Sequence, residues 1–154
     1  MIERLLPKSI DQGYHGHALA KWVLAVLTVI TLVRSLIHIF FPDGGAQSIA
    51  TIPLSTFTSA GGSAVVTIFA LWGLSQLLLG FVYLAVLVRY QALIPFIYLL
   101  FIAEYLGRAL IGFAKPLLTI DTPPGATANM VFPILGVVMF ALSLRSPRSE
   151  ESES

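Results

Sequence analysis

The 154-residue chain has no cysteine. That removes disulfides, thiolate metal sites, iron–sulfur clusters and cysteine nucleophiles together. Charge is also scarce. Only 11% of residues are Asp, Glu, Lys or Arg, where soluble domains carry about 25%. The net charge is +1, and no basic run or aromatic-interleaved basic patch occurs, which sets nucleic-acid partners aside. Familiar catalytic signatures are missing: there is no HExxH, no GxSxG and no phosphate-binding GxxxxGK(S/T). His15 and His17 flank Gly16 with only Asp11 nearby, a poor metal set and an ordinary turn. A haem would need histidines inside the apolar segments, and only His38 qualifies. No cofactor is expected.

What the chain has in abundance is apolar residues, 56% of the total. A bilayer-spanning helix needs about 20 mainly apolar residues. Four stretches qualify, 19–41, 64–88, 92–114 and 129–144. They occupy more than half the chain and leave no room for a separate soluble domain. The fold class expected is therefore an all-α integral membrane protein. It has a lead over 1–18, a four-helix membrane domain over 19–144 and a disordered tail over 145–154. The tail, SPRSEESES, is too polar to bury a core. The first apolar run follows an 18-residue lead and is interrupted by Arg34, so it reads as a retained helix and not a signal peptide.

Orientation follows from flanking positive charge. Arg4, Lys8, Lys21, Arg89, Arg145 and Arg148 fall on one side and Lys115 on the other. Both termini are expected in the cytoplasm, with loops 43–63 and 115–128 facing outward. The location expected is the inner membrane of a bacterial cell. The connection near Arg89 to Gln91 is short, which predicts a tight hairpin of the second and third helices. Pro95 and Pro133 read as helix starts. The pairs Ala103/Gly107 and Gly73/Gly80 read as close-packing positions, and as a candidate homodimer face.

An internal repeat is suggested by RSLIHIFFP, from Arg34, and RALIGFAKP, from Arg108. An arginine within an apolar run, followed eight residues later by a proline, recurs at an offset of 74. Two parallel helical hairpins in one bundle would account for it. Chance in a biased composition is the competing explanation.

The alignment places the charges. Arg34 and Arg108 both fall about 10 Å below the outer helix ends at ~1.5 Å per residue. Glu104 is one turn deeper than Arg108, His38 one turn above Arg34, and Gln76 lies at a similar depth. Five polar side chains can therefore converge: Arg34, His38, Gln76, Glu104 and Arg108. Tyr105 and Trp72 stand close enough to join. Each has a bland explanation. Arginine can snorkel, Glu104 and Arg108 can form an i,i+4 pair, and an intramembrane Gln bond is worth only about 0.6 kcal/mol. Together they are less bland, because a mid-helix charge costs roughly 2.5–3.5 kcal/mol. Glu104 is expected to hold both Arg34 and Arg108, leaving one surplus positive charge.

Three functions fit. The first is a non-catalytic accessory or assembly subunit with the network as internal glue. It would have membrane lipids, a second copy or a membrane complex as partners. The second binds or moves a small anionic or amphipathic molecule at Arg34, Glu104 and Arg108. The third is a lipid- or quinone-acting enzyme with Glu104 or His38 as acid or base. In size and helix count the chain is similar to many small four-span bacterial membrane families, including DoxX-like proteins. The stretch GLSQLLLGFVYLAVLVRY followed by EYLGRALIGFAKP has the look of a family signature, and no functional residue is carried over from the resemblance.

Overall fold

The structure is a computed structural model that describes residues 2–5, 10 and 13–145. The expectation of a disordered tail falls on residues of which all but Arg145 lie outside the described ones. A short helix α1 covers Ile2–Leu5. Four long helices follow: α2 Ala18–Phe40, α3 Ser59–Arg89, α4 Ile94–Ala114 and α5 Pro124–Leu144. All four are long and apolar enough to cross a membrane. Among the described residues there are no strands.

Two helices begin earlier than hydropathy predicts, because their start signals lie outside the apolar runs. Thr58 caps α3, its hydroxyl accepting from Gly61 N–H at 3.2 Å. Gly61 and Gly62 thus lie in the first turn and not in a loop. Pro124 opens α5, where its missing N–H is no loss. Pro95 likewise sits at the start of α4. Pro133 does not start a helix. It lies inside α5, buried, which corrects the expectation drawn from the apolar run alone.

The helices pack as two hairpins, α2 with α3 and α4 with α5, which meet mainly through α2 and α5. The expected tight hairpin of the second and third apolar helices is not formed. The α3–α4 connection is short, running through Tyr90 and a 3-10 turn at Gln91–Leu93, yet the two helices touch little beyond it. The reason is in the small residues. Gly73 and Gly80 of α3 face α2 so closely that a Cβ on Gly73 would lie 2.7 Å from His38 Cβ. One on Gly80 would lie 2.7 Å from Leu32 Cδ2. Thr28, Thr31 and Ser35, buried on α2, turn their hydroxyls back to Leu24 O, Leu27 O and Thr31 O respectively. Their apolar edges are then free to pack. Gly136 gives α5 a similar approach to Ile102 and Phe101 of α4. Gly107 has nothing within 4 Å of a built Cβ, so the Ala103/Gly107 pair is unused within the chain.

Long aromatics fill the centre. Tyr83, Tyr98, Phe101 and Tyr105 are buried beside Leu24, Leu27 and Met139. Tyr98 Oη donates to Ala20 O at 2.5 Å and fixes α4 against α2. The start of α2 and the end of α5 share one end of the bundle, where His17 N–H donates to Leu142 O at 3.1 Å. Tyr14 lies in the lead at that end, and burial pushes its phenol up to about 12.

The loops at the opposite end are tied together. Ile120 N–H donates to Thr51 O at 3.0 Å, and Thr51 Oγ1 donates to Asp121 O at 2.7 Å. Thr51 holds φ at 55°, a strained value for a β-branched residue, and both bonds hold it there. Asp43 organises the first loop. Its carboxylate accepts from Gly45, Gln47 and Ser48 N–H at 2.9, 3.1 and 2.6 Å. Burial pushes the Asp43 carboxyl up, but these N–H donors outweigh it and hold the group below the ordinary carboxylate value. Its folded pKa is thus the lower one, so the carboxylate stabilises the loop above the ordinary value. That contribution is lost as pH falls through the folded value. The protection of the Gln47 and Ser48 amides, relative to their intrinsic exchange rates, is expected to fall below about pH 4, near the ordinary Asp pKa. In Asp43→Asn the exchange should be fast already at neutral pH.

Candidate functional site

Four of the five polar residues singled out from sequence come together between α2, α3 and α4. Arg34 Nη2 donates to Gln76 Oε1 at 3.0 Å. Gln76 Nε2 donates to Glu104 Oε1 at 3.0 Å. Arg108 Nε donates to the same oxygen at 3.0 Å, and its Nη2 makes a second, shorter bond there. Arg34 Nη1 reaches Tyr105 Oη at 3.2 Å. The chain of contact is thus Tyr105–Arg34–Gln76–Glu104–Arg108, running through three helices.

The wiring differs from the expectation in one respect. Glu104 does not hold Arg34 directly; among the described residues its ion pair is with Arg108. The Gln76 amide stands between, accepting from the guanidinium and donating to the carboxylate. An amide has a carbonyl to accept and an NH₂ to donate, so it can do both at once. Arg108 sits one turn from Glu104 at i,i+4 and pairs with Oε1, the oxygen that Gln76 Nε2 also meets.

Trp72 is the second organiser. The Arg108 guanidinium lies 4.7 Å from its ring centre and the Arg34 guanidinium 5.6 Å. Arg108 is also 5.2 Å from the Tyr105 ring. Two like charges therefore share one electron-rich ring, which offsets part of their repulsion. Glu104 and Arg108 remain about one-fifth exposed, at 20% and 18%. The site is covered but not sealed.

His38 takes a different part. Its ring is buried against Trp72 and Phe69, with centres 4.7 and 5.6 Å away. Its Nδ1 pairs with Gly44 O at 2.7 Å, and the carbonyl can only accept, which puts the proton on Nδ1. His38 thus fastens the loop after α2 and makes no hydrogen bond to the charged cluster. His17 is also accounted for locally: its Nδ1 accepts from Leu19 N–H at 3.1 Å and caps α2. Among the described residues no three side chains of metal-ligating type gather.

Sequence reasoning passed over Tyr83. It is 1% exposed, and its Oη has no hydrogen-bond partner among the described residues. The signal was available. The buried residues of α3 are Gly73, Gln76, Gly80, Tyr83 and Val86, a stripe at helical spacing that contains Gln76. Removing an orphaned buried hydroxyl relieves its desolvation penalty. Tyr83→Phe is therefore expected to melt at or above the wild-type temperature; a clear drop would mean that the hydroxyl is bonded.

Two shallow depressions are present, and neither is lined by a residue of the cluster. One, of about 90 Å³, lies among Tyr14, Gly16, Pro95 and Ser143. The other is an apolar groove between α2 and α5. No family model, curated protein or solved structure matches the chain. The site is therefore read from its own chemistry.

Proposed function

We propose that this chain is a small multi-pass membrane protein of non-catalytic type, an accessory or assembly subunit. In this reading the Arg34–Gln76–Glu104–Arg108 network is the clasp that joins its two hairpins. The single observation that supports it best is direct contact. The polar side chains spend their bonds on one another and on Trp72 and Tyr105. An acid or base poised for chemistry would need room for a substrate at Glu104. A carboxylate in hydrocarbon needs a cation and donors, and Glu104 has both.

The test is wholesale replacement. Exchanging a buried ionic network for apolar residues of similar volume is often neutral or stabilising, whereas removing one partner is not. The combination Arg34→Met, Gln76→Leu, Glu104→Leu and Arg108→Met is expected to yield a folded bundle that melts near the wild-type temperature. A clasp role is excluded if that variant folds and melts normally but the single Glu104→Leu does so too.

The bacterial inner membrane, with both ends of the chain in the cytoplasm, is part of the same proposal. It is supported by the excess of Lys and Arg at the end shared by the start of α2 and the end of α5. The cysteine-free sequence makes labelling clean. His15→Cys should react with an impermeant maleimide only after lysis, and Ser48→Cys in intact cells. The reverse pattern would invert the orientation.

A second reading is favoured by one observation. Arg34 has five N–H donors, of which two are placed and Nε is buried without a partner among the described residues. Two guanidiniums also face one carboxylate. That surplus suits binding of a small anionic or amphipathic molecule at Arg34.

A further inference from the structure

The ion pair on α4 leaves one acceptor and one donor unspent. Glu104 receives its hydrogen bonds at Oε1, from Gln76 and Arg108. Arg108 spends Nε and Nη2 on that same oxygen. Glu104 Oε2 and Arg108 Nη1 have no hydrogen-bond partner among the described residues, and neither is sealed from the surface. Both belong to a helix long and apolar enough to cross a membrane. Hydrocarbon offers such atoms neither a donor nor an acceptor.

The two atoms border one open side of α4. Leu100, Glu104, Gly107 and Ile111 recur at spacings of four, three and four, which places them on one side of the helix. The neighbouring α3 touches α4 little beyond their connection and does not cover that side. Leu100 and Ile111 are exposed, and a Cβ built on Gly107 meets nothing within 4 Å. A further helix therefore has room to approach the α4 backbone at Gly107, with the ion pair beside it.

We propose that this face of α4 docks a second copy of the chain, inserted in the same direction, as a two-fold pair. In it Glu104 Oε2 of each copy accepts from Arg108 Nη1 of the other. This rests on the clasp reading above and adds a use for the two atoms that the clasp leaves free. Charge complementarity selects the second copy as the occupant. The face carries one anionic acceptor and one cationic donor, so it is complementary to itself, as a two-fold interface must be. Depth agrees. A long helical side chain leans toward the N-terminus of its own helix, and Arg108 reaches back one turn to meet Glu104. In two copies inserted alike, the carboxylate of one and the guanidinium of the other then share a level. Gly107 lets the two α4 helices close to that distance.

Cross-linking of the full-length chain in its membrane tests the face, because the sequence has no cysteine of its own. Gly107→Cys and Ile111→Cys are each expected to give a disulfide-linked pair on mild oxidation. Leu106→Cys, on the far side of α4, should not. Native mass spectrometry in mild detergent then counts copies, with two expected for wild type. Gly107→Leu fills the open space and should leave single copies whose helical circular dichroism and tryptophan fluorescence match wild type, so the clasp inside each chain is intact. The fourfold apolar variant above lacks Glu104 and Arg108. Its pairing should weaken at least about tenfold, the ratio one charge-assisted hydrogen bond supplies. Failure to cross-link at Gly107 and Ile111, or equal cross-linking at Leu106, would overturn the pair. Pairs that persist in Gly107→Leu would overturn this face. Pairs of undiminished strength in the fourfold variant would overturn the Glu104–Arg108 contact between copies. A one-to-one complex with a different protein would overturn the second copy as the occupant. The clasp is judged separately by melting, so its failure and that of the pair are read apart.

Discussion

Glu104→Gln is expected to destabilise the bundle by about 3 kcal/mol, the lower end of the range for breaking a buried ion pair. The lower end applies because one-fifth of each partner is exposed. The substitution keeps the shape and an acceptor for Gln76. It removes the one negative charge facing two guanidiniums that share the Trp72 ring. Local charge rises from one surplus positive to two. The double variant Glu104→Gln/Arg108→Gln returns the surplus to one and should recover at least half the loss. Thermal melts in detergent, followed by tryptophan fluorescence, read both. Trp22 and Trp72 are the only tryptophans, and Trp72 lies on the cluster itself. If the double variant melts no higher than the single, local charge balance is not what Glu104 provides.

Gly73→Leu should be the most damaging apolar substitution. A Cβ there would lie 2.7 Å from His38 Cβ and 3.0 Å from Ser35 O. The second of these is backbone and cannot swing aside. The α2–α3 seam must open, which would carry Gln76 away from Arg34 and His38 away from Trp72. Overpacking costs typically 1–3 kcal/mol where the neighbours can shift, and the loss of the cluster adds to it. The variant is expected to give little folded protein. Gly107→Ala is the control: its Cβ would meet nothing within 4 Å, and its melting temperature should match or exceed wild type, since Ala is the better helix former. If Gly73→Leu folds normally, the hairpins are not packed through this seam.

The four helices are legible in the sequence because hydrocarbon-scale hydropathy leaves few alternatives. Their ends are less so. Apolar runs mark where a helix is greasy, while Thr58 and Pro124 mark where it begins. Loop length is a poor guide to pairing: a short turn after Arg89 suggests intimate packing of α3 with α4. The glycines at 73 and 80 direct α3 to α2 instead. The convergence of Arg34, Gln76, Glu104 and Arg108 follows from depth counting along straight helices. Which of them touch does not. That depends on rotation about each helix axis. His38 sits on the expected strip but is drawn to the Gly44 carbonyl, a loop contact that no helical spacing encodes. Arg34 and Arg108 each stand six residues before the last residue of their helices, Phe40 and Ala114. The two hairpins thus present their arginines at matching depths.

The central claim is that Gln76 relays between two charges that never meet, Arg34 on one hairpin and Glu104 on the other. A double-mutant cycle on Arg34→Gln and Glu104→Gln measures this directly, run once in the wild-type background and once with Gln76→Leu. The account predicts a coupling above about 0.5 kcal/mol in the first, as for members of one network, and additivity in the second. Additive effects in the wild-type background, or a coupling that survives loss of Gln76, would contradict it.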